Sequence, residues 1–97
     1  MAKGIWVATY RSVSDPDKLA AYAKLAGPAI QAGGGRFIVR GNAAQAYEAG
    51  VIQRVVVIEF PSVAAATATH DSPAYQEALR ALGDGAVRDI RVCEGLD

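Results

Sequence analysis

The segment from Gln53 to Phe60 constrains the fold more than any other part of the chain. It contains four consecutive β-branched residues, Val55-Val56-Val57-Ile58, and Pro61 follows it directly. β-Branched side chains favour strands, and proline cannot continue a strand in the middle of a sheet. Because successive side chains of a strand point to opposite faces, this run predicts a strand that is apolar on both faces.

Three further segments have the composition of strands. Ile5–Tyr10 is rich in β-branched and aromatic residues, and Arg36–Arg40 alternates charged with apolar side chains. The last segment runs from about Ala86 to Glu94, with apolar residues among charged ones. Period-two patterns of this length, bounded by turn residues, predict three more strands.

A helix is predicted after the first strand. Asp15 suits the N-cap and Pro16 the first helical position. A glycine triplet, residues 33–35, ends the helix and is predicted to be a turn, because it precedes a strand and lacks the pattern of a phosphate-binding loop. Gly27-Pro28 interrupts the helix, so we expect a kink or a fresh turn there. The apolar stripe of this helix comprises Leu19, Tyr22, Ala23, Ala26 and Ile30.

Two shorter helices are predicted between the third and last strands. Ser62 can cap the first of them, and Ser72-Pro73 has the composition of a second helix start. The first carries Val63, Ala66 and His70, and the buried face of the second comprises Tyr75, Ala78, Leu79 and Leu82.

The order of these elements is βαββαβ, which is the order of the ferredoxin-like α+β fold. We therefore predict one domain over residues 1–97, with a four-stranded antiparallel sheet and helices on one face. The helices can cover only that face, although Val55–Ile58 is apolar on both. A second copy of the sheet is the simplest cover, which predicts a homodimer through the open face.

The composition excludes several functional classes. Lys and Arg number 10, Asp and Glu number 10, and neither sign forms a block, so nucleic acid and anionic lipid are not expected partners. No apolar run approaches the roughly 18 to 20 residues of a membrane span, and the first residues lack the pattern of a signal peptide. Together with a single cysteine, Cys93, these features predict a soluble cytoplasmic protein.

Several short motifs together resemble those of a known family. They are Asp15-Pro16, Tyr22, Gly34-Gly35-Arg36, Arg40-Gly41, Glu59-Phe60-Pro61-Ser62, Ser72-Pro73, Tyr75-Gln76 and Glu94-Gly95. By these motifs the chain is identified as a member of domain of unknown function 1330, within the dimeric α/β-barrel superfamily. The resemblance implies a ferredoxin-like fold and a dimer whose sheets face each other, and it implies no known activity.

The chain departs from that pattern in two places. Thr69-His70 stands where similar sequences usually carry an aromatic pair, and Glu48-Ala49-Gly50 replaces a Glu-Gly loop. Related families of the superfamily include cofactor-independent monooxygenases, haem-degrading enzymes and isomerases, so the fold leaves the function open. The arginine common to the C-terminal half of the family matches either Arg80 or Arg88.

Two residues are candidates for catalysis. His70 is the only histidine, and imidazole is the side chain that titrates near neutrality, although a histidine in the last turn of a helix is also favoured by the helix dipole. Glu59 lies in the most apolar strand, where a carboxylate must be paired or raised in pKa. It is a candidate base or, alternatively, a salt-bridge partner of an arginine.

Arginines and tyrosines are the candidate ligand-binding residues. Alternation in the second strand places Arg36 and Arg40 on one face, where they could clamp an anion or serve as edge-strand charges. Tyr10, Tyr22 and Tyr75 could direct their hydroxyl groups into a common pocket or could be core residues. One histidine and one distant cysteine argue against a zinc site, and no cofactor is expected.

Two functional hypotheses follow. The first is a binding protein for a small molecule, including an anion, or a cofactor-independent enzyme, with a pocket between sheet and helices and a perturbed carboxylate. The second is a non-catalytic interaction module, in which the polar residues pair across the dimer and leave no cavity.

Overall fold

The computed structural model describes residues 2–96 and has the predicted βαββαβ order, with two short helices in the second helical position. The four strands form one antiparallel sheet in the order β2-β3-β1-β4. This arrangement confirms the ferredoxin-like α+β fold. The elements are β1 (Gly4–Val13), α1 (Pro16–Ala32), β2 (Arg36–Asn42), β3 (Arg54–Phe60), α2 (Val63–His70), α3 (Pro73–Leu82) and β4 (Ala86–Glu94).

All three helices begin where the sequence predicts. The side chains of Asp15, Ser62 and Ser72 each accept hydrogen bonds from backbone amides in the first turn of the helix that follows. These amides have no partner within the helix, so a capping oxygen stabilises each helix start by about 1 kcal/mol.

The expected fresh turn at Gly27-Pro28 is wrong, because α1 continues through Pro28 to Ala32. Proline removes one hydrogen bond from the helix interior. On either side of it, Ala26, Ala29 and Ile30 are buried against the core, and this packing holds the helix together. The chain then reverses at Gly34, whose φ of 93° lies in the left-handed region that favours glycine.

The hydrophobic core lies between the helices and one face of the sheet, which we call the helix face. Trp6 is at its centre, with its ring 5.1 Å from Tyr75 in an edge-on arrangement and 6.0 Å from Phe60. The strands contribute Trp6, Ala8, Tyr10, Val56, Ile58 and Phe60, and the helices contribute Tyr22, Ala26, Ala29, Ile30, Ala66, Tyr75, Ala78 and Leu82.

The opposite face of the sheet, which we call the open face, has no helix packed on it among residues 2–96. Its central side chains are half-buried and apolar, and Val39 is 43% exposed. Val57 lies on this face and Ile58 on the other, which confirms that β3 is apolar on both sides. The half-buried set is Ile5, Val7, Val55 and Val57.

A β-bulge at Ile38 changes which side chains of β2 face the helices. Phe37 pairs with Ile58, and Val39 pairs with Val57, the neighbour of Ile58. Ile38 is therefore an extra residue of β2 that has no partner on β3. Such a bulge shifts the alternation of side chains beyond it. The prediction that Arg36 and Arg40 share a face is therefore wrong: Arg36 lies on the open face and Arg40 on the helix face.

None of the helices between residues 2 and 96 is both long and apolar enough to cross a membrane.

Candidate functional site

A small pocket lies between α1 and the helix face of the sheet. Its volume is about 40 Å³. A buried water needs roughly 10 to 15 Å³ by this measure, so the enclosed space is that of about three waters, or of one carboxylate group. The apolar walls are Trp6, Ala8, Phe37, Val56 and Ile58 from the sheet and Ala23, Ala26, Gly27 and Ile30 from α1.

Three arginines on three different strands line this pocket. They are Arg40 on β2, Arg54 on β3 and Arg88 on β4, and no carboxylate lines the pocket with them. The salt bridges formed among residues 2–96 involve other cations, so none of the three guanidinium groups is paired. Guanidinium groups with no counter-ion that converge on one cavity favour an anion.

Arg54 leaves one polar atom without a partner. Its Nε is buried and forms no hydrogen bond with any described residue. A buried donor without a partner costs about 1 to 3 kcal/mol, and more when the group is charged. Arg54 therefore lines the pocket with a guanidinium group whose hydrogen bonds the described residues do not fully satisfy.

Arg88 is held in place by two tyrosines. Its Nη1 donates to the hydroxyl oxygen of Tyr22 at 3.0 Å and lies 3.4 Å from that of Tyr10, and its Cζ is 4.6 Å from the centre of the Tyr22 ring. Burial alone would lower the pKa of Arg88, but attraction to the phenol oxygens of Tyr22 and Tyr75 outweighs it, so that the pKa is raised. The guanidinium group is therefore a fixed cation.

The hydroxyl groups of Tyr22 and Tyr75 lie 2.7 Å apart. Tyr75 is 0% exposed, and burial together with the nearby Tyr22 raises its pKa far above that of free tyrosine, against the opposing effect of Arg88. Either hydroxyl group can donate in this bond, and Arg88 also interacts with the Tyr75 oxygen; we assign the Tyr75 proton to the bond with Tyr22. Tyr22 then accepts from Tyr75 and Arg88, and its own O–H is free to donate into the pocket that it lines.

The polar lining consequently consists of hydrogen-bond donors. Arg40 extends it to the entrance, because its side chain is exposed and its Cζ lies 4.5 Å above the Phe37 ring. A carboxylate accepts hydrogen bonds through both oxygens and donates none when ionised. The pocket is complementary to such a group.

Glu59 does not lie in this pocket. It is on the open face, where its Oε1 is 3.0 Å from Nζ of Lys3 and 3.4 Å from Nη2 of Arg36. The hydrogen bond from Lys3 lowers the pKa of Glu59, with a smaller contribution from Arg36. The structure thus places the predicted pocket carboxylate in a salt bridge, which was the alternative interpretation.

His70 also lies outside the pocket lining. Its ring is 5.7 Å from that of Trp6 and 5.3 Å from that of Tyr75, and its Nδ1 lies 3.0 Å from Oδ1 of Asp71. Of the predicted site residues, the structure brings together the three tyrosines and Arg40, whereas Arg36, Glu59 and His70 lie elsewhere. The predicted grouping of a carboxylate, an imidazole and the tyrosines in one site is not formed.

Arg54 and Arg88 are the functional candidates that the sequence did not single out for binding. Arg88 is spaced two residues apart from Ile90, as Ile90 is from Val92, so the three share one face of β4. By the same spacing, Arg54 shares one face of β3 with Val56 and Ile58. A charged residue in register with a buried apolar row is the signal that could have identified both. Arg80, the other arginine considered, is exposed and pairs with Glu77. No cluster of three or more His, Cys, Asp or Glu side chains suited to a metal ion occurs between residues 2 and 96.

The model of one protein family, described as Domain of unknown function (DUF1330), matches residues 3–96. The chain belongs to the DUF1330 family. This finding confirms the resemblance that the short motifs indicate. No curated protein matches this DUF1330 chain significantly.

Solved structures similar to this DUF1330 chain share its fold. A protein of unknown function from Rhodopseudomonas palustris matches with a TM-score of 0.72 and 23% identity, over 99% of this chain and 84% of that chain. A candidate antibiotic biosynthesis monooxygenase from Caulobacter crescentus CB15 matches with a TM-score of 0.61 and 18% identity, over 99% and 91%. A dimeric ferredoxin-like protein of unknown function from Thermobifida fusca YX gives 0.60 and 20%, over 96% and 91%. At these identities the likeness concerns the fold alone.

Proposed function

We propose that the protein binds a small organic acid by its carboxylate in the pocket between α1 and the sheet. The observation that supports this function is the convergence of three unpaired arginines on a pocket without a carboxylate, with the Nε of Arg54 buried and unpartnered. Hydrogen bonds to a charged group contribute about 1.5 to 3 kcal/mol each, so a carboxylate would offset the cost of partly burying Arg54 and Arg88.

The same geometry favours binding over proton transfer as the role of this pocket. Its described lining contains guanidinium and phenol groups, which stabilise a negative oxygen, and no carboxylate or imidazole that would remove a proton from a ligand at neutral pH. In a cofactor-independent enzyme, which the sequence leaves open, these donors would stabilise a developing oxyanion, and the base would come from outside the described lining.

Titration calorimetry with acetate, propionate, butyrate and benzoate, each beside its amide, tests this function. We expect at least one carboxylate to bind and its amide to bind at least 10-fold more weakly, because an amide nitrogen would face donors. Arg54→Met should weaken binding by roughly 10- to 100-fold, the equivalent of about one charged hydrogen bond. Arg80→Met is the matched control, since Arg80 is an exposed arginine outside the pocket.

Binding that is equal for acid and amide, or unchanged in Arg54→Met, would contradict the proposal. Circular dichroism of each variant separates loss of binding from loss of fold. If no carboxylate binds although the protein is folded and dimeric, the non-catalytic interaction module becomes the better hypothesis.

We also propose that two copies associate through the open face. Support comes from the half-buried apolar residues at its centre and from the Thermobifida fusca protein, which is described as dimeric. Burial stabilises by about 25 cal/mol per Å² of apolar surface, so these side chains gain from a second sheet. Analytical ultracentrifugation should show a dimer for the wild type and a folded monomer for Val57→Lys.

Leu25→Lys is the control for this experiment. Leu25 is 42% exposed on α1, on the other side of the molecule from the open face, so the same change of side chain there should leave the dimer intact. A wild-type protein that sediments as a monomer at high micromolar concentration would exclude this assembly.

A further inference from the structure

The pocket has two centres of positive charge, one on each side of Tyr10. Tyr10 on β1 pairs with Arg88 on β4, and the ladder between β1 and β3 ends with the pair Thr9 and Val55. Arg54 is the neighbour of Val55 at this end of β3, and β3 and β4 lie on the two sides of β1. Neighbouring strands are about 4.8 Å apart, so the Cα atoms of Arg54 and Arg88 are separated by roughly 10 Å across the sheet.

The two centres differ in what already holds them. Arg88 is fixed by the hydroxyl groups and ring faces of Tyr10 and Tyr22. On the other side, Arg54 has a buried Nε without a partner among residues 2–96, and the guanidinium group of Arg40 lies over the ring of Phe37. Both arginines are on the helix face of neighbouring strands, since Arg40 pairs with Val56, two residues from Arg54 on β3.

A single carboxylate cannot neutralise this arrangement. It would leave two of the three cations unpaired, and it can contact only one of two centres that lie on either side of a tyrosine. A phosphate group carries two charges but concentrates them at one point. Two carboxylates on a short chain place one negative charge at each of the two centres and leave one of the three cations unpaired.

We propose that the ligand is a short dicarboxylate, with one carboxylate bound by Arg88 and the Tyr22 hydroxyl and the other by Arg54 and Arg40. This inference deepens the proposed carboxylate binding and rests on it. The enclosed volume of about 40 Å³ holds the first carboxylate, and the second lies toward the entrance, where Arg40 is exposed. A linker of a few carbon atoms then contacts the apolar wall formed by Ala8, Val56 and Phe37.

Calorimetric titration with malonate, succinate and glutarate, each beside its monoamide, tests this inference. Inorganic phosphate is the fourth probe, and all titrations are made at low ionic strength, because salt weakens contacts between exposed charges. We expect one dicarboxylate to bind at least 10-fold more tightly than its monoamide. In Arg54→Met that preference should fall to within 2-fold, whereas Arg80→Met should keep it.

Arg54→Lys is a second variant in case Arg54→Met does not fold. It retains the charge but loses the planar pair of donors, so it should keep part of the preference. Equal affinity of the dicarboxylate and its monoamide in the wild type overturns the dicarboxylate and leaves the single-carboxylate function intact. Phosphate that binds more tightly than every dicarboxylate also overturns it. Absence of binding by all carboxylates overturns both proposals.

Discussion

Charged side chains are paired on one face of the sheet and unpaired on the other. On the open face Glu59 binds Lys3 and Arg36, and Asp89 binds Arg91. On the helix face Arg40, Arg54 and Arg88 have no carboxylate, although the same strands carry both sets. Since pairing is the usual way to retain a charge near a core, the unpaired set indicates a group that the chain itself does not supply.

The apolar side chains of the two faces differ as well. Ile58 is 0% exposed in the core, whereas its neighbour Val57 is half-buried on the open face. The apolar side chains on the helix face of each central strand are therefore buried within a single chain. The apolar side chains of the open face stay partly exposed to solvent, which supports the proposed association of two copies through this face.

The largest expected effect separates the two faces within one strand. Ile58→Ala should lower the free energy of unfolding by about 2 to 5 kcal/mol, because it opens a cavity in the core. At a protein concentration low enough to dissociate the proposed dimer, Val57→Ala removes less buried area and should cost at most about 1.5 kcal/mol. Urea denaturation at one fixed protein concentration measures both. Equal losses would mean that the open face is as tightly packed as the core.

The second prediction concerns the entrance of the pocket. Ala23 is exposed on α1 and lines the pocket, whereas Ala21 is exposed on α1 outside it. Ala23→Phe should weaken carboxylate binding by at least 10-fold by filling the entrance, a change of about 1.4 kcal/mol. Ala21→Phe should leave binding unchanged.

The free energies of unfolding of the two phenylalanine variants should differ by less than about 0.5 kcal/mol, because Ala21 and Ala23 both lie at the surface. Calorimetry and urea denaturation check the two statements. Equal binding by Ala23→Phe and Ala21→Phe would place the ligand away from α1.

The third prediction tests the hydrogen bond beneath the pocket. Tyr75→Phe removes the donor that we assign to the Tyr22 oxygen, and a net hydrogen bond of this kind contributes about 1 kcal/mol to stability. Tyr47→Phe is the control, because Tyr47 is 77% exposed and should change nothing. Thermal denaturation of the two variants measures the difference. An unchanged midpoint for Tyr75→Phe would mean that the hydrogen bond between the two hydroxyl groups adds nothing measurable to stability.

The sequence predicted the fold well because the fold depends on local signals. The β-branched run of β3, the Asp15-Pro16 cap and the glycine turn each act within a few residues, and the helix starts followed from such signals. The predicted ends of the first two strands were too early, since β1 continues past Tyr10 to Val13 and β2 past Arg40 to Asn42. The continuous α1 is an exception, since burial around Pro28 overrode the local preference of proline.

The site was predicted less well because it depends on register and on distant pairs. The bulge at Ile38 has no glycine to mark it, so simple alternation placed Arg40 on the wrong face. Glu59 resembled a buried acid because its partner Lys3 is 56 positions away in the chain. The sequence identified the three tyrosines as candidates, but Arg88, the common partner of Tyr10 and Tyr22, is evident only from the pairing of β1 with β4.

The smallest expected effect is a pH dependence that belongs to the open face. The folded pKa of Glu59 lies below its ordinary value of 4.5, chiefly through the hydrogen bond from Lys3. Just below pH 4.5 the unfolded chain therefore binds more protons at this position than the folded protein does. The stabilisation by Glu59 is fully present above pH 4.5 and is lost as the pH falls through the folded pKa.

In Glu59→Gln the free energy of unfolding should consequently fall less steeply below pH 4.5 than in the wild type. Above pH 5 the two curves of free energy against pH should be nearly parallel. Glu48→Gln is the control, because Glu48 forms no ion pair with residues 2–96 and should keep the wild-type slope. Denaturation between pH 3 and pH 7 in low and high salt measures both. Carboxylate affinity at pH 7 should be the same in Glu59→Gln and the wild type, since Glu59 lies on the face opposite the pocket. A loss of affinity in this variant would couple the two faces and contradict their separation.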